Sequence, residues 1–244
     1  MSKTVALSIK DVSVTYTDKP VIEEVNLEIN HGEIFGLIGL NGAGKTTLIK
    51  CILSLRNQDE GEILINNQAR DNATSKKNMA YLPEKFEPPW FLTGMEFIKF
   101  SLGLYKKSIS EDEVYNAADA LALDRAALKR KVNTYSKGMR QKLGLMGTLL
   151  TDCDVMILDE PMSGLDPMAR SKVKDMIGQV KHKDKMIFLS SHILADMDEI
   201  CDRVAVLFNG RIQYVGTPQN LKKKTSTKNL EHAFLDFIEG QAAA

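Results

Sequence analysis

Residues 5–16 (VALSIKDVSVTY) alternate apolar and polar with period two, and Val25, Leu27 and Ile29 repeat the alternation. That spacing predicts half-buried antiparallel strands near the N-terminus. Ile34 to Ile38 differs: it is an unbroken apolar run after the turn His31-Gly32-Glu33, so it predicts a strand covered on both faces. Glu62 to Ile65, between Gly61 and Asn66-Asn67, predicts another strand, and Met79 to Leu82 a short one ending at Pro83. Phe86 to Leu150 is mostly helical in pattern, with Glu, Lys, Ala and Leu dominating after Ser110. Three buried-strand runs follow, Val155 to Leu158, Met186 to Leu189 and Val204 to Phe208, separated by helical stretches at Ala169 to Val180 and Ile193 to Ile200. Such alternation argues for a parallel sheet with crossover helices, an α/β fold. Asn209-Gly210 predicts a hairpin from Val204–Phe208 to Ile212–Val215. Lys222 to Lys228 reads as a polar, basic linker before a short amphipathic helix, Leu230 to Ile238, which closes the fold through Leu230, Phe234, Leu235, Phe237 and Ile238.

Gly39 to Thr47 reads GLNGAGKTT directly after the first buried run, and an amphipathic stretch, Thr46 to Leu55, follows. This is the pattern G-x-x-x-x-G-K-[ST] in the strand–loop–helix setting it requires. Gly39, Asn41, Gly42, Ala43 and Gly44 form a loop whose N–H groups can turn toward phosphate oxygens. A helix opening at Thr46 and Thr47 adds the positive end of its dipole. Lys45 can reach β- and γ-phosphates, and the Thr46 hydroxyl can ligate Mg²⁺. Each residue thus has a task on a nucleoside triphosphate.

Later segments extend that chemistry. Val155 to Leu158 runs into Asp159 and Glu160. In a parallel sheet ligands bind beyond the carboxyl ends of the strands, so Asp159 is placed to hold Mg²⁺ and Glu160 to polarise the water attacking the γ-phosphate. Ser190-Ser191-His192 follows another buried strand, and His192 can donate to the γ-phosphate or to that water. Ser136 in Tyr135-Ser136-Lys137-Gly138 is a good N-cap for a helix reaching Leu150, and a helix tip with Ser and Gly is also an anion site. Ser163-Gly164-Leu165-Asp166 reads as a turn before a helix near Pro167.

Composition removes several function classes. Lys plus Arg equals Asp plus Glu at 32 each in 244 residues, so no global basic field marks nucleic acid as a partner. The longest apolar runs are far too short to cross a bilayer, and the first residues lack a long apolar signal segment. Cys51, Cys153 and Cys201 are scattered without metal or redox spacing, as in a cytosolic protein with reduced thiols.

The ordered set GLNGAGKTT, YSKGMRQ, VMILDEP, SGLD and SSH, spanning Gly39 to His192, resembles the ATP-binding subunits of ABC transporters. The resemblance implies a P-loop NTPase core with an antiparallel β-subdomain over residues 1–85 and 151–220, a helical signature subdomain over 86–150, and a C-terminal linker and short helix over 221–244. It implies ATP and Mg²⁺ as cofactors and a dimer, two copies of the chain, in which Ser136 and Gly138 of one subunit cover the nucleotide held by Lys45 of the other. Asp166 then lies at the seam between the two sites. Tyr16 is similar to the aromatic residue that stacks on adenine, worth about 1 kcal/mol. Glu84, in YLPE, stands where the family usually has a Gln that contacts Mg²⁺, so the metal set implied is Thr46, Asp159 and Glu84. The signature, commonly LSGGQ, here is Tyr135-Ser136-Lys137-Gly138-Met139, a shape similar to the ABC-2-type exporter branch that moves lipids, polysaccharides, drugs or ions.

A partner follows from the same resemblance: an integral membrane permease subunit, with this chain cytoplasmic and peripheral on the cytoplasmic face. Phe86 to Tyr105 is rich in aromatics, and a minority of Phe86, Trp90, Phe91, Phe97 and Phe100 is expected to be exposed against that permease. No nucleic acid is expected as a partner. The leading alternative keeps the ATPase chemistry in a soluble protein acting in cofactor assembly or on ribosomes or nucleic acid. A second alternative, a module holding ATP without turnover, is opposed by Glu160.

Overall fold

A computed structural model describes residues 4–181 and 184–242, so residues 1–3, 182–183 and 243–244 of the expected segments lie outside it. In chain order the elements are β1 (Val5–Tyr16), β2 (Lys19–Asn30), β3 (Ile34–Ile38), α1 (Lys45–Ile52), β4 (Glu60–Ile65), β5 (Gln68–Ala69), α2 (Ala73–Lys77) and β6 (Met79–Leu82). Then come α3 (Gly94–Leu104), α4 (Glu111–Ala120), two 3₁₀ turns (Arg125–Lys129 and Val132–Thr134) and α5 (Lys137–Leu149). The chain ends through β7 (Val155–Asp159), α6 (Pro167–Lys181), β8 (Met186–Ser190), α7 (Leu194–Ile200), β9 (Arg203–Phe208), β10 (Arg211–Gly216), α8 (Pro218–Lys224) and α9 (Leu230–Ala242).

Two sheets result. The alternating strands form an antiparallel sheet in the order β2-β1-β4-β5, and the continuous apolar runs form a sheet in the order β10-β9-β3-β8-β7-β6. The second is parallel except for the β9–β10 hairpin. Its central strands β3, β7 and β8 are buried on both faces, so successive residues enter opposite cores, while β10 at the edge is half-exposed. Phe35, Leu37, Ile157 and Phe188 join α1 and the antiparallel sheet on one side. Ile34, Ile38, Leu158 and Leu189 join the helices on the other. Parallel pairing aligns the carboxyl ends: Leu37 opposes Ser190, Asp159 opposes Ser190, and Leu82 opposes Leu158. The loops after β3, β6, β7 and β8 therefore leave from one edge.

The segment read as a basic linker is partly helix. Thr217 caps α8 by accepting from the Asn220 N–H, Pro218 opens its first turn, and Leu221 is fully buried. Lys222 lies 2.7 Å from Asp198, which is why a lysine-rich run is held against the fold. Helix α9 runs beyond Ile238, and Leu235, expected inside, is 40% exposed while Ala233 takes the buried position. Helix α1 stops at Ile52, short of Leu55, because Ser54 turns the chain with φ 56°. The stretch after β6 is irregular before Thr93 and Glu96 form a reciprocal capping box that starts α3.

Candidate functional site

The glycine-rich loop begins where β3 ends. A side chain at Gly39 would stand 2.6 Å from the Leu207 carbonyl oxygen, so only glycine lets the loop pass this close to β9. Gly44, at φ 108°, caps α1 without a side chain, which leaves the helix dipole facing the loop. Asn41, Gly42 and Thr46 are exposed and Thr47 is buried. Lys45 Nζ donates to the carbonyls of Gly39 at 2.7 Å and Leu40 at 3.2 Å. Burial pulls its pKa down, against the opposing fields of Glu160, Asp159 and Glu84 in that order. The loop cation and three carboxylates from two other strand ends thus share one site.

Asp159 closes β7 and accepts a hydrogen bond from the Ser190 hydroxyl. Burial is the main cause that raises its proton affinity, and Glu84 adds to it. Glu160 sits at φ 52°, a strained conformation for a non-glycine residue. Its N–H donates to the Ser190 carbonyl at 3.2 Å, and Gln141 Nε2 donates to its carbonyl at 3.3 Å. Burial raises the Glu160 pKa, partly offset by His192, whose Nδ1 lies 2.7 Å from Oε2. Apart from that contact Oε2 is buried with no hydrogen-bond partner among the described residues. His192 itself is exposed. Tyr81, beside Asp159 and Glu84, has its phenol pKa pushed up to about 12, first by burial.

These residues fit a magnesium nucleotide. Among the described residues no three His, Cys, Asp or Glu side chains form a cage for a metal. A hydroxyl on Thr46 and the carboxylates of Asp159 and Glu84 are hard oxygen donors, and Mg²⁺ prefers one or two carboxylates completed by water and phosphate. Burial, with Glu84 adding to it, raises the proton affinity of Asp159 against the offsets from Ser190 and Lys45, so a further positive charge is favoured beside it.

Other sequence-predicted residues lie apart from this cluster. Ser136 is exposed and caps α5, accepting from the Met139 N–H at 3.2 Å. Gly138 faces Leu165 and the Gly164 carbonyl, so the α5 tip meets the Ser163–Asp166 turn rather than the glycine loop. Asp166 is exposed and accepts from the Ala169 N–H at 2.9 Å, starting α6. Tyr16 ends β1 with its ring 40% exposed. Of the aromatic stretch, Phe86 and Phe97 pack edge to face with centroids 5.5 Å apart, while Trp90, Phe91 and Phe100 are exposed. More than the expected minority therefore faces outward. Ser190, Gln141 and Tyr81 were missed as site residues, because nothing local in the sequence signals contacts made across strands.

The ABC transporter family model matches residues 22–163, more than half of the chain. The chain belongs to the ABC transporter family. An ABC transporter ATP-binding protein of Nostoc sp. is 36% identical over 209 residues, 84% of this chain and 62% of that protein. The chain thus spans less than two thirds of that relative's length. A fluoroquinolones export ATP-binding protein of Mycobacterium tuberculosis is 34% identical over 217 residues, 87% of this chain and 70% of that protein. A solved ATP-binding subunit of an ABC transporter has 32% identity and a TM-score of 0.87, covering 95% of this chain and 98% of that one. The ABC fold class, a P-loop NTPase core, is the one described above.

Proposed function

We propose that the chain binds and hydrolyses ATP with Mg²⁺, acting as a dimer that powers export through a separate membrane subunit. The observation that carries the reading is the buried Glu160 carboxylate against His192, on the sheet edge that also holds Lys45. The glycine loop and the α1 dipole receive the phosphates, and Lys45 turns from its own loop carbonyls to the β- and γ-oxygens. Thr46 and Asp159, with Glu84, hold the metal, which when bound neutralises charge developing on the phosphates. Glu160 orients the attacking water, and its raised proton affinity suits it to accept that proton. His192 keeps the carboxylate oriented and reaches toward the γ-phosphate. Tyr16 stacks on the base.

Dimerisation follows from a site that one copy leaves half covered. Ser136 and Asp166 are exposed and Gly138 is partly so; the α5 tip they flank offers helix N–H groups to an anion and lies against the Ser163–Asp166 turn rather than the glycine loop of its own chain. A second copy placed head to tail sets them over the nucleotide of the first. Ser136→Arg is then expected to abolish turnover while a single copy binds ATP nearly as before. Wild-type hydrolysis by that variant excludes the shared site.

Export and a permease partner are supported by two features. The Mycobacterium tuberculosis relative carries an export name. A cleft lined by Glu84, Phe86, Trp90, Lys137, Arg140 and Ser163 joins the Glu84 loop to the signature helix, a place for a short helix of a membrane subunit beside both. No helix among the described residues is long and apolar enough to cross a membrane, so the span belongs to that partner in this reading. Pull-down from detergent-solubilised membranes is expected to recover an integral membrane protein; recovery of only a soluble complex favours the cofactor-assembly alternative.

A further inference from the structure

We propose that Arg56 is a positioning residue for the nucleobase: it backs one face of the Tyr16 ring and holds the other open for stacking. The inference rests on Tyr16 as the base-stacking residue. Arg56 follows the C-terminus of α1, and its guanidinium carbon lies 3.8 Å from the centroid of the Tyr16 ring. Its Nη2 donates to the Thr15 carbonyl at 2.9 Å. Nε is buried with no hydrogen-bond partner, and among the described residues no carboxylate pairs with Arg56. The ring and the Thr15 carbonyl are thus what orient this guanidinium. A planar cation over an aromatic face is attractive, and more so where it is partly desolvated.

The surroundings make this a fixed platform. Arg70, 8% exposed, donates to the carbonyls of Cys51 and Arg56 and to Asn57 Oδ1. It therefore caps the end of α1 and clamps the turn that carries Arg56. Asp59 adds a second tie: its Oδ2 accepts from the Thr15 N–H at 2.6 Å, and its own N–H donates to the Ser13 carbonyl at 2.9 Å. The end of β1 is thus bolted to the segment following α1, while the other end of α1 is the phosphate loop. At the loop end, Gly44 packs against Ile22 of β2, eight residues from Asn30 at the strand's far end and close to the Tyr16–Lys19 hairpin tip. Base platform and phosphate loop are then held in one spacing by one rigid element. With Arg56 against one face, turning the ring breaks that contact, and Tyr16 stays 40% exposed for a base to meet.

A merely structural role for Arg56 weakens every ligand alike; a positioning role acts on the base alone. Titration of Arg56→Ala with Mg-ATP and with magnesium tripolyphosphate separates the two. ATP affinity is expected to fall about fivefold, the scale of one stacking or cation–π contact, with tripolyphosphate affinity unchanged. Combined with Tyr16→Ala, the second change is expected to add nothing. Arg56→Lys, which keeps a donor for Thr15 without the flat face, shows the same selective loss and serves if the alanine variant does not fold. Equal loss for both ligands, or full additivity with Tyr16→Ala, overturns the proposal. If Tyr16→Ala weakens ATP but neither Arg56 variant does, Arg56 alone is wrong. If Tyr16→Ala binds ATP like the wild type, the stacking reading fails and this inference with it.

Discussion

Lys45→Ala is expected to lower Mg-ATP affinity about a hundredfold, read by calorimetric titration. Lys45 is the cation facing Glu160, Asp159 and Glu84, so its loss leaves three carboxylates where a triphosphate must enter. A charge-assisted hydrogen bond contributes about 1.5–3 kcal/mol, or roughly tenfold to a hundredfold and more in affinity. Repulsion between the uncovered carboxylates and the phosphates adds to that. The loop itself survives: among the described residues Lys45 bonds to the Gly39 and Leu40 carbonyls alone, and Gly39 and Gly44 are held by close contacts with β9 and β2. An unchanged affinity contradicts the role assigned to Lys45, and a loss seen together with a collapsed melting transition assigns the effect to folding instead.

Much of this fold was legible because buried parallel strands write themselves as continuous apolar runs. Ile34–Ile38, Val155–Leu158 and Met186–Leu189 have no polar face to obscure them, and the structure places each in the sheet. The glycine loop was legible because backbone conformation and anion contact restrict the residue type at several successive positions. What stayed hidden depends on partners distant in sequence. Lys222 reads as solvated until Asp198 is beside it. Ser190 reads as a strand end until its hydroxyl meets Asp159, and Gln141 as one more polar helix residue until it reaches the Glu160 and Pro161 carbonyls. Short elements were also lost: β5 has two residues and α2 five, too few for any periodicity to register. The outward aromatics were underestimated because composition carries no direction. Only the helical phase of α3, with Phe97 and Ile98 inward and Phe100 and Leu104 outward, separates core rings from exposed ones.

Helix α5 and the carboxylate proposed as the base are joined within one chain. Gln141 of α5 holds the carbonyls of Glu160 and Pro161, and Gly138 of the same helix touches the Ser163–Asp166 turn. In the proposed dimer, a shift of the α5 tip would reach Glu160 through one buried side chain, Gln141. In that reading the left-handed Glu160 backbone, held by several contacts, is the part that would shift when one of them moves.

Glu160→Gln is expected to cut ATP turnover about a hundredfold to ten-thousandfold, the range for loss of a general base, while ATP binding persists. The same substitution is expected to make the protein more stable, and the two effects share one cause. Burial raises the carboxyl pKa above its ordinary value, so the folded state binds that proton more tightly than the unfolded chain. At low pH the group is protonated in both states and costs nothing. As pH rises from the ordinary carboxyl value through the raised folded value, the wild type loses stability; above that window the loss is complete. The amide never ionises, so the variant keeps what the wild type loses. Its melting temperature should match the wild type in acid and exceed it at neutral pH, by about 2–4 °C for each kcal/mol relieved. Gln retains a β-carbon, so the left-handed backbone at φ 52° is equally strained in both proteins and does not contribute to the difference. Wild-type hydrolysis by the variant removes Glu160 from the chemistry. A variant without turnover and without the pH-dependent gain leaves the residue catalytic and refutes the buried charge as the source of its basicity.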